Sequence, residues 1–349
     1  MIGPTLQKIV AGEILDVEEA AQAMNAVMSG QATPAQIAAL VTALRMRGER
    51  ETEIAGFVQA LRSHMIPVEL STERPAVDVV GTGGDGSRTF NISTTAAFVV
   101  AGAGVPVAKH GNRAMSSRAG SADTLEALGV RIDLGPEAVA RCVEEAGIGF
   151  MLAPRFHPAL RHAAPVRREL GFRTVFNVLG PLANPARVRH QLIGVAVSDL
   201  VETVARVLAL LDVEHALVVH AADGLDELSL SAPTIVYDVR RDGGSTTVRR
   251  LTLEPEELGL RRAPIDAVRG GTPEENARIV RAVLEGAPGP ARDVTLLNAA
   301  AALVAADAAE SLAEGWELAR RALDSGAALD RLERLVAVSQ ALAPAEVTP

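Results

Sequence analysis

From Ala76 onward, short apolar runs alternate with longer stretches of helical periodicity, and this alternation restricts the fold more than any other feature. VDVV (77–80), VPVA (105–108), IGFMLA (148–153), QLIGVAV (191–197) and HALVVH (215–220) read as strands. Helical stretches over 93–103, 121–129, 136–147 and 199–211 separate them. Such an order predicts an α/β fold with a central, largely parallel sheet flanked by helices, because parallel strands need crossovers and are buried on both faces. Beyond Val236, DVRRDGGSTTVRRLTL reads as a turn-linked β pair around Gly243–Gly244. NARIVRAVLEG, DVTLLNAAAALVAAD and SLAEGWELARRALDSG close the domain as helices, and ALAPAEVTP is expected to fray.

The first seventy residues follow a different rule and read as all helix. DVEEAAQAMNAVMSG opens with Asp16 and Glu19 at capping-box spacing and ends at Gly30. TPAQIAALVTALRMRG opens on Thr33 and Pro34, closes at Gly48, and carries the stripe Ile37, Leu40, Val41, Leu44. The next helix repeats that spacing with Ile54, Phe57, Val58 and Leu61. Three such helices make a small bundle, and STERP (71–75) punctuates the chain after it. The expected organisation is a small all-helical domain over 1–72 and a large α/β domain over 73–345.

Composition narrows the functional class. With 349 residues, 48% of them hydrophobic, the chain can bury a full core. A formal net charge of -9 argues against nucleic acid or an anionic membrane surface as the main partner. No apolar run approaches the length of about 18 residues that a membrane span requires. MIGPTLQKIVAGEIL lacks the layout of a secretory signal, so a cytoplasmic location is expected. Cys142, the only cysteine, lies in a helical run and reads as a buried structural thiol. Of 34 basic residues only Lys8 and Lys109 are lysine. A lysine kept at 109 suggests a site that wants a compact ammonium there rather than a planar fork.

That lysine opens the second of two polar, glycine-rich stretches, GTGGDGSRTFNIST (81–94) and KHGNRAMSSRAGSAD (109–123), each directly after an apolar run. GTGGDG formally matches the dinucleotide fingerprint, but the next strand ends at Lys109–His110 where that fold requires an acidic residue. As a nucleotide P-loop it fails at Ser87, which stands where lysine belongs. What survives is the shared physics: glycines let backbone N–H groups approach an anion, and a helix N-terminus adds a favourable dipole. Asn91 fits either a helix cap or a ligand contact. Ser93 and Thr94 would sit in the first helical turn, with Ser93 able to ligate Mg²⁺ or donate to phosphate. Lys109, Asn112, Arg113, Ser116, Ser117 and Ser121 crowd the carboxyl end of one strand, where α/β sheets bind ligands. His110 reads equally as a structural contact or a catalytic group. Asp226 and Glu227 follow the strand HALVVH and suit Mg²⁺ shared with substrate phosphates. In 155–185, Arg167 or Arg168 could read a carboxylate bidentately.

Taken together, GTGGDG with NIST, KHGNR…SSRAGSAD, VRRELGFRTVFNVLGPLANP, GLDE, GGTPEENARIVRAVL and LLNAAAAL resemble the anthranilate phosphoribosyltransferase family over nearly the whole chain. The resemblance implies transfer of phosphoribosyl from phosphoribosyl pyrophosphate to the anthranilate amine. It also implies Mg²⁺, helices from about 160–190 joining the N-terminal bundle, and a homodimer through the helical part. It implies that the sugar donor is bound by Gly81, Gly83, Gly84, Asp85, Thr89, Asn91, Ser93 and Thr94 of the first stretch. From the second stretch come Lys109, His110, Gly111, Asn112, Arg113, Ser116, Ser117 and Ser121. Anthranilate falls to Gly81, Asn112, His157 and Arg167, magnesium to Ser93, Asp226 and Glu227, and catalysis to Lys109 and Arg167. The same resemblance points to pyrimidine nucleoside phosphorylase as the alternative enzyme, and to a non-catalytic nucleic-acid-binding relative as the alternative class.

Overall fold

The computed structural model describes residues 2–114 and 118–342. Ser116, Ser117 and most of the tail expected to fray lie outside the described residues.

Helices α1 Gly3–Val10, α2 Val17–Met28, α3 Pro34–Arg47 and α4 Glu51–His64 form the N-terminal bundle. The capping box at α2 is present, with Asp16 accepting from the Glu19 N–H at 2.8 Å. Thr33 and Gln36 form another at α3, and Gly48 ends that helix at φ +88°. Both expected apolar stripes are buried. The fourth helix, α1, is too short and weakly capped to stand out in sequence; burial of Ile2 and Ile9 holds it in place.

The α/β part contains helices α5 Ile92–Gly102, α6 Ser121–Ala127, α7 Pro136–Ala146, α8 Ala153–Phe156, α9 Ala164–Leu170, α10 Phe176–Leu182 and α11 Ser198–Leu210. Helices α12 Pro273–Leu284, α13 Pro290–Ala305, α14 Leu312–Asp324 and α15 Ala327–Ala341 follow. Of these, α9 and α10 pack into the bundle's core, where Val166, Val178 and Leu179 cluster with Ile37, Leu40 and Ile54.

Strands β1 Val77–Gly81, β2 Val107–Gly111, β3 Ile148–Leu152, β4 His190–Gly194, β5 His215–Ala221, β6 Thr234–Asp242 and β7 Ser245–Leu253 form one sheet in the order β3-β2-β1-β4-β5-β6-β7. The first five run parallel, and β6 and β7 close the edge as an antiparallel hairpin. Gly243 and Gly244 both take positive φ, as a two-residue hairpin turn requires. Side-chain alternation divides the apolar residues of β4 and β5 between two cores: Ile193 and Val218 face the bundle and α11, while Leu192 and Val219 face α5 and α13.

Strand β2 is displaced toward its polar end relative to the expected VPVA run. Lys109 and His110 stay within the sheet because the strand next door supplies partners. The Lys109 ammonium donates to the Val79 carbonyl, and the His110 N–H donates to Asp78 Oδ1 at 3.2 Å. From β1 the chain moves outward to β2 and β3, then crosses back to β4 on the other side of β1. The carboxyl ends of β1 and β4 therefore meet at a topological switch point, where open α/β sheets hold their ligands. Gly81 pairs with Gly194 at that point.

Candidate active site

The glycine loop leaves β1 at Gly81 and passes over the switch point. Gly83 and Gly84 adopt φ of +64° and +73°, which side-chain-bearing residues rarely tolerate. The Gly83 N–H donates to Asp226 Oδ2 at 2.7 Å, and the Ser93 N–H at the start of α5 donates to Glu227 Oε1 at 3.2 Å. The neighbouring carboxylates thus reach opposite ends of one loop. They do so from a turn beyond β5, with Asp226 buried and Glu227 half-buried. Close packing makes this possible: a Cβ on Gly81 would lie 2.6 Å from Asp226 Oδ2, and one on Gly194 would lie 1.6 Å from the Asp226 carbonyl oxygen.

Burial raises both carboxyl groups above the ordinary carboxylate range, and their mutual repulsion with Asp85 adds to the rise. Such a concentration of negative charge favours a hard cation. Among the described residues no three His, Cys, Asp or Glu side chains assemble into a metal cage. A cation held by this pair would need further oxygen ligands from outside the protein, which suits Mg²⁺, an ion commonly bound by one or two carboxylates together with substrate phosphates and water. Asp85 itself folds back on Ser87, accepting from its N–H at 3.1 Å and its hydroxyl at 2.6 Å.

Lys109 enters from β2 with 2% of its surface exposed. Its ammonium also lies 3.4 Å from Ser93 Oγ and is drawn toward Glu227 and Asp78. Burial pulls the amine below its usual range, while those two carboxylates oppose the fall. Asp78 is pushed up to about 6 by burial, against the pull of Lys109, Asn184 and the His110 N–H. Asn184 donates to Asp78 Oδ2 at 2.7 Å and to the Ala108 carbonyl at 2.9 Å. Neither Asp78 nor Asn184 stood out in sequence; the one available signal was a lone charge inside the buried run VDVV.

Asn91 holds the cap position of α5 but does not cap it. Its Oδ1 accepts instead from Thr124 and, at 2.9 Å, from Asn276. Thr94 is buried with its hydroxyl unpartnered among the described residues. Thr89 bridges to Arg269. On the second loop, Gly111 leaves room for Ser121, whose hydroxyl reaches the Asn112 carbonyl at 3.3 Å. The Asn112 side chain accepts from the Arg113 N–H at 2.8 Å. Arg113 is turned onto α6, in ion pairs with Asp123 at 3.0 Å and Glu126 at 2.5 Å.

A second group of polar side chains borders β2. His110 Nδ1 lies 3.0 Å from the Gly180 carbonyl of α10, and its ring sits 5.0 Å from that of His157. Burial drives His110 down to about 3 and His157 to about 4, so both are neutral at pH 7. His110 Nε2 and both nitrogens of His157 are buried without hydrogen-bond partners among the described residues. Arg167, on α9, lies 5.3 Å over the Phe176 ring of α10, and burial lowers it below the usual guanidinium range. Among the described residues it has no carboxylate partner. Arg168 beside it is exposed. Arg173, which sequence reasoning passed over, donates to the glycine-loop carbonyls of Gly83 at 2.8 Å and Gly84 at 3.3 Å.

A glycine cradle at a switch point, with an acidic pair and a buried ammonium, is the layout of an enzyme that handles a phosphorylated sugar. The sequence profile described as "Glycosyl transferase family, a/b domain" matches residues 73–329, and "Glycosyl transferase family, helical bundle domain" matches residues 4–65. The chain is 82% identical over 347 residues to an anthranilate phosphoribosyltransferase of Thermomicrobium roseum, covering 99% of both chains. It superposes with a TM-score of 0.89 on the crystal structure of the Thermus thermophilus enzyme of that name, at 48% identity over 96% of this chain and 99% of the other. The Saccharomyces cerevisiae enzyme, solved in complex with PRPP and Mg, gives a TM-score of 0.86 at 29% identity, covering 97% and 99%. The chain belongs to the anthranilate phosphoribosyltransferase family.

Proposed function

We infer that this chain transfers the phosphoribosyl group of 5-phosphoribosyl 1-pyrophosphate to the amine of anthranilate, releasing pyrophosphate, as a cytoplasmic step of tryptophan biosynthesis. The observation that carries the reading is the meeting of the Gly83 and Ser93 N–H groups, Lys109, Asp226 and Glu227 at the switch point between β1 and β4. In the reaction the C1–O bond to pyrophosphate breaks, the C1–N bond forms and the amine gives up a proton. Positive charge develops at C1 and negative charge on the leaving group, so stabilising the departing pyrophosphate dominates the barrier. Lys109 and the loop N–H groups supply fixed positive potential toward it. Asp226, Glu227 and Ser93 would hold Mg²⁺, which when bound neutralises pyrophosphate charge. Of the other groups assigned to the donor, Thr94 offers a hydroxyl unpartnered among the described residues. Asn91 is bonded to Thr124 and Asn276, and Arg113 is paired with Asp123 and Glu126, so these two would have to exchange partners to reach it. Ser116 and Ser117 belong to the assignment from sequence alone.

The acceptor side of this reading rests on Gly81, Asn112, His157 and Arg167. Arg167 is free to pair with the anthranilate carboxylate, and the unclaimed nitrogens of neutral His110 and His157 offer hydrogen bonds without adding charge. An aromatic amine is weakly basic, so once bonded to C1 it gives its proton to water or to the departing pyrophosphate, and the neutral histidines need only hydrogen-bond. The division into a helical unit over 1–72, joined by helices from 160–190, and an α/β unit over 73–345 is part of the proposal, supported by the packing of Val166, Val178 and Leu179 of α9 and α10 with Ile37, Leu40 and Ile54 of the bundle. So is a homodimer through the helical unit, whose surface exposes Val10, Ile14 and Met46.

The test is loss of anthranilate fluorescence with the sugar donor and Mg²⁺, run beside phosphorolysis of thymidine. Activity only in the second assay would sink the reading. The Arg167→Ala variant is expected to raise the anthranilate KM by about tenfold or more, with little change for the donor. Equal changes in both constants would remove Arg167 from the acceptor site.

A further inference from the structure

The segment that carries Arg167 also reaches the opposite substrate. Gly171, at φ +66°, ends α9, and Arg173 follows in the turn before α10. That turn is braced from behind: the Thr174 N–H donates to Asn177 Oδ1 at 2.9 Å, and Val175 and Phe176 are buried in the bundle core. From this support Arg173 Nη1 crosses to the glycine loop, bonding the Gly83 and Gly84 carbonyls.

A trans peptide directs its N–H away from its C=O. The Gly83 carbonyl shares a peptide with the Gly84 N–H, and the Gly84 carbonyl shares one with the Asp85 N–H. Drawing both carbonyls onto one guanidinium turns those two N–H groups to the far side, and a cation on the carbonyl strengthens each as a donor. Among the described residues neither N–H has a hydrogen-bond partner, so both remain available for an anion. On the other side of the loop, Asp226 holds the Gly83 N–H. Arg173 also accounts for Gly84, since a Cβ there would lie 2.2 Å from Nη1.

We propose that Arg173 is a positioning residue that aims the Gly84 and Asp85 N–H groups at the pyrophosphate of the donor. Because it lies six residues after Arg167 on one braced segment, it also sets the donor cradle in register with the acceptor-reading arginine. The proposal rests on the functional reading above: a parent enzyme that fails to ribosylate anthranilate defeats that reading, whereas an active parent allows Arg173 to be judged separately.

The experiment compares parent, Arg173→Ala, Arg173→Gln and Arg173→Lys for the KM of both substrates, for donor affinity by calorimetry with Mg²⁺, and for thermal midpoint. Arg173→Ala is expected to weaken donor KM and Kd about tenfold, to change the anthranilate KM less than about threefold, and to leave the midpoint within a few degrees. Arg173→Lys, which keeps a cationic donor, should recover part of the loss, and Arg173→Gln less. A donor KM within about twofold of parent, equal rises for both substrates, or a lysine variant as impaired as alanine would each overturn the proposal. If alanine does not fold, the lysine and glutamine variants decide by the same measures.

Discussion

Alanine at Gly194 would test how tightly the acidic pair is held. Its Cβ would lie 1.6 Å from the Asp226 carbonyl oxygen and 2.5 Å from the carbonyl carbon. Reaching ordinary contact requires a movement of about 2 Å. Strand β4 cannot supply it, because it is paired to β1 and β5 and its Gly194 carbonyl also accepts from the Thr82 N–H at 2.9 Å. The movement therefore falls on the Asp226–Glu227 turn, anchored on its other side by Asn298, which bonds the Leu228 N–H and carbonyl at 2.9 Å each. Displacing a charge-stabilising pair by more than 1 Å costs on the order of 10²-fold in rate, or about 2.7 kcal/mol. Initial rates by anthranilate fluorescence, with donor and Mg²⁺ each titrated, should show kcat/KM for the donor falling by about that factor and the Mg²⁺ requirement rising. Overpacking should cost about 1–3 kcal/mol of stability and leave the circular dichroism that of a folded chain. Gly81→Ala, whose Cβ would lie 2.6 Å from Asp226 Oδ2, should disturb the same carboxylate from its side-chain end. A Gly194→Ala enzyme with donor kinetics and Mg²⁺ dependence close to parent would refute the reasoning.

Two other outcomes follow from the surface and from the buried histidines. Met46 is 84% exposed and Val10 76%, so if the proposed homodimer uses this face, Met46→Glu should shift the mass seen by light scattering from dimer to monomer; a parent that is monomeric, or a variant mass unchanged from a dimeric parent, would remove this face from the proposal. His157, held down at about 4, binds its proton more weakly in the folded than in the unfolded chain, so its contribution to stability is present above pH 6.5 and declines as pH falls toward 4. In urea titrations the parent should lose about 2 kcal/mol relative to His157→Phe between pH 7 and pH 5; parallel curves for the two would show that the ring is not kept neutral by burial.

What could be read without coordinates was whatever depends on near neighbours in the chain. Capping at Asp16 and Thr33, the stripes Ile37–Leu44 and Ile54–Leu61, the Gly243–Gly244 hairpin and the α/β alternation all follow from local geometry and periodicity. The glycine loop was legible for the same reason, since its density of glycine exceeds what a plain turn needs. Asn91 shows where such reasoning stops: the local pattern offers a cap, yet its side chain turns to Thr124 and Asn276. Residue chemistry left Arg167 and Arg168 open and only the family resemblance pointed to Arg167; packing sets the two apart physically, one guanidinium half-buried over Phe176 and the other exposed. Asp78, Asn184 and Arg173 were invisible for a related reason, as their partners lie far along the chain and adjoin them only after the strands cross at β1 and β4. Sequence alone therefore determined most of the elements and the kinds of group at the site, because these are set within a few residues. Tertiary structure decided which carboxylate, ammonium and N–H face one another and how far burial shifts their charge, because desolvation and distant contacts do not exist until the chain has closed around them.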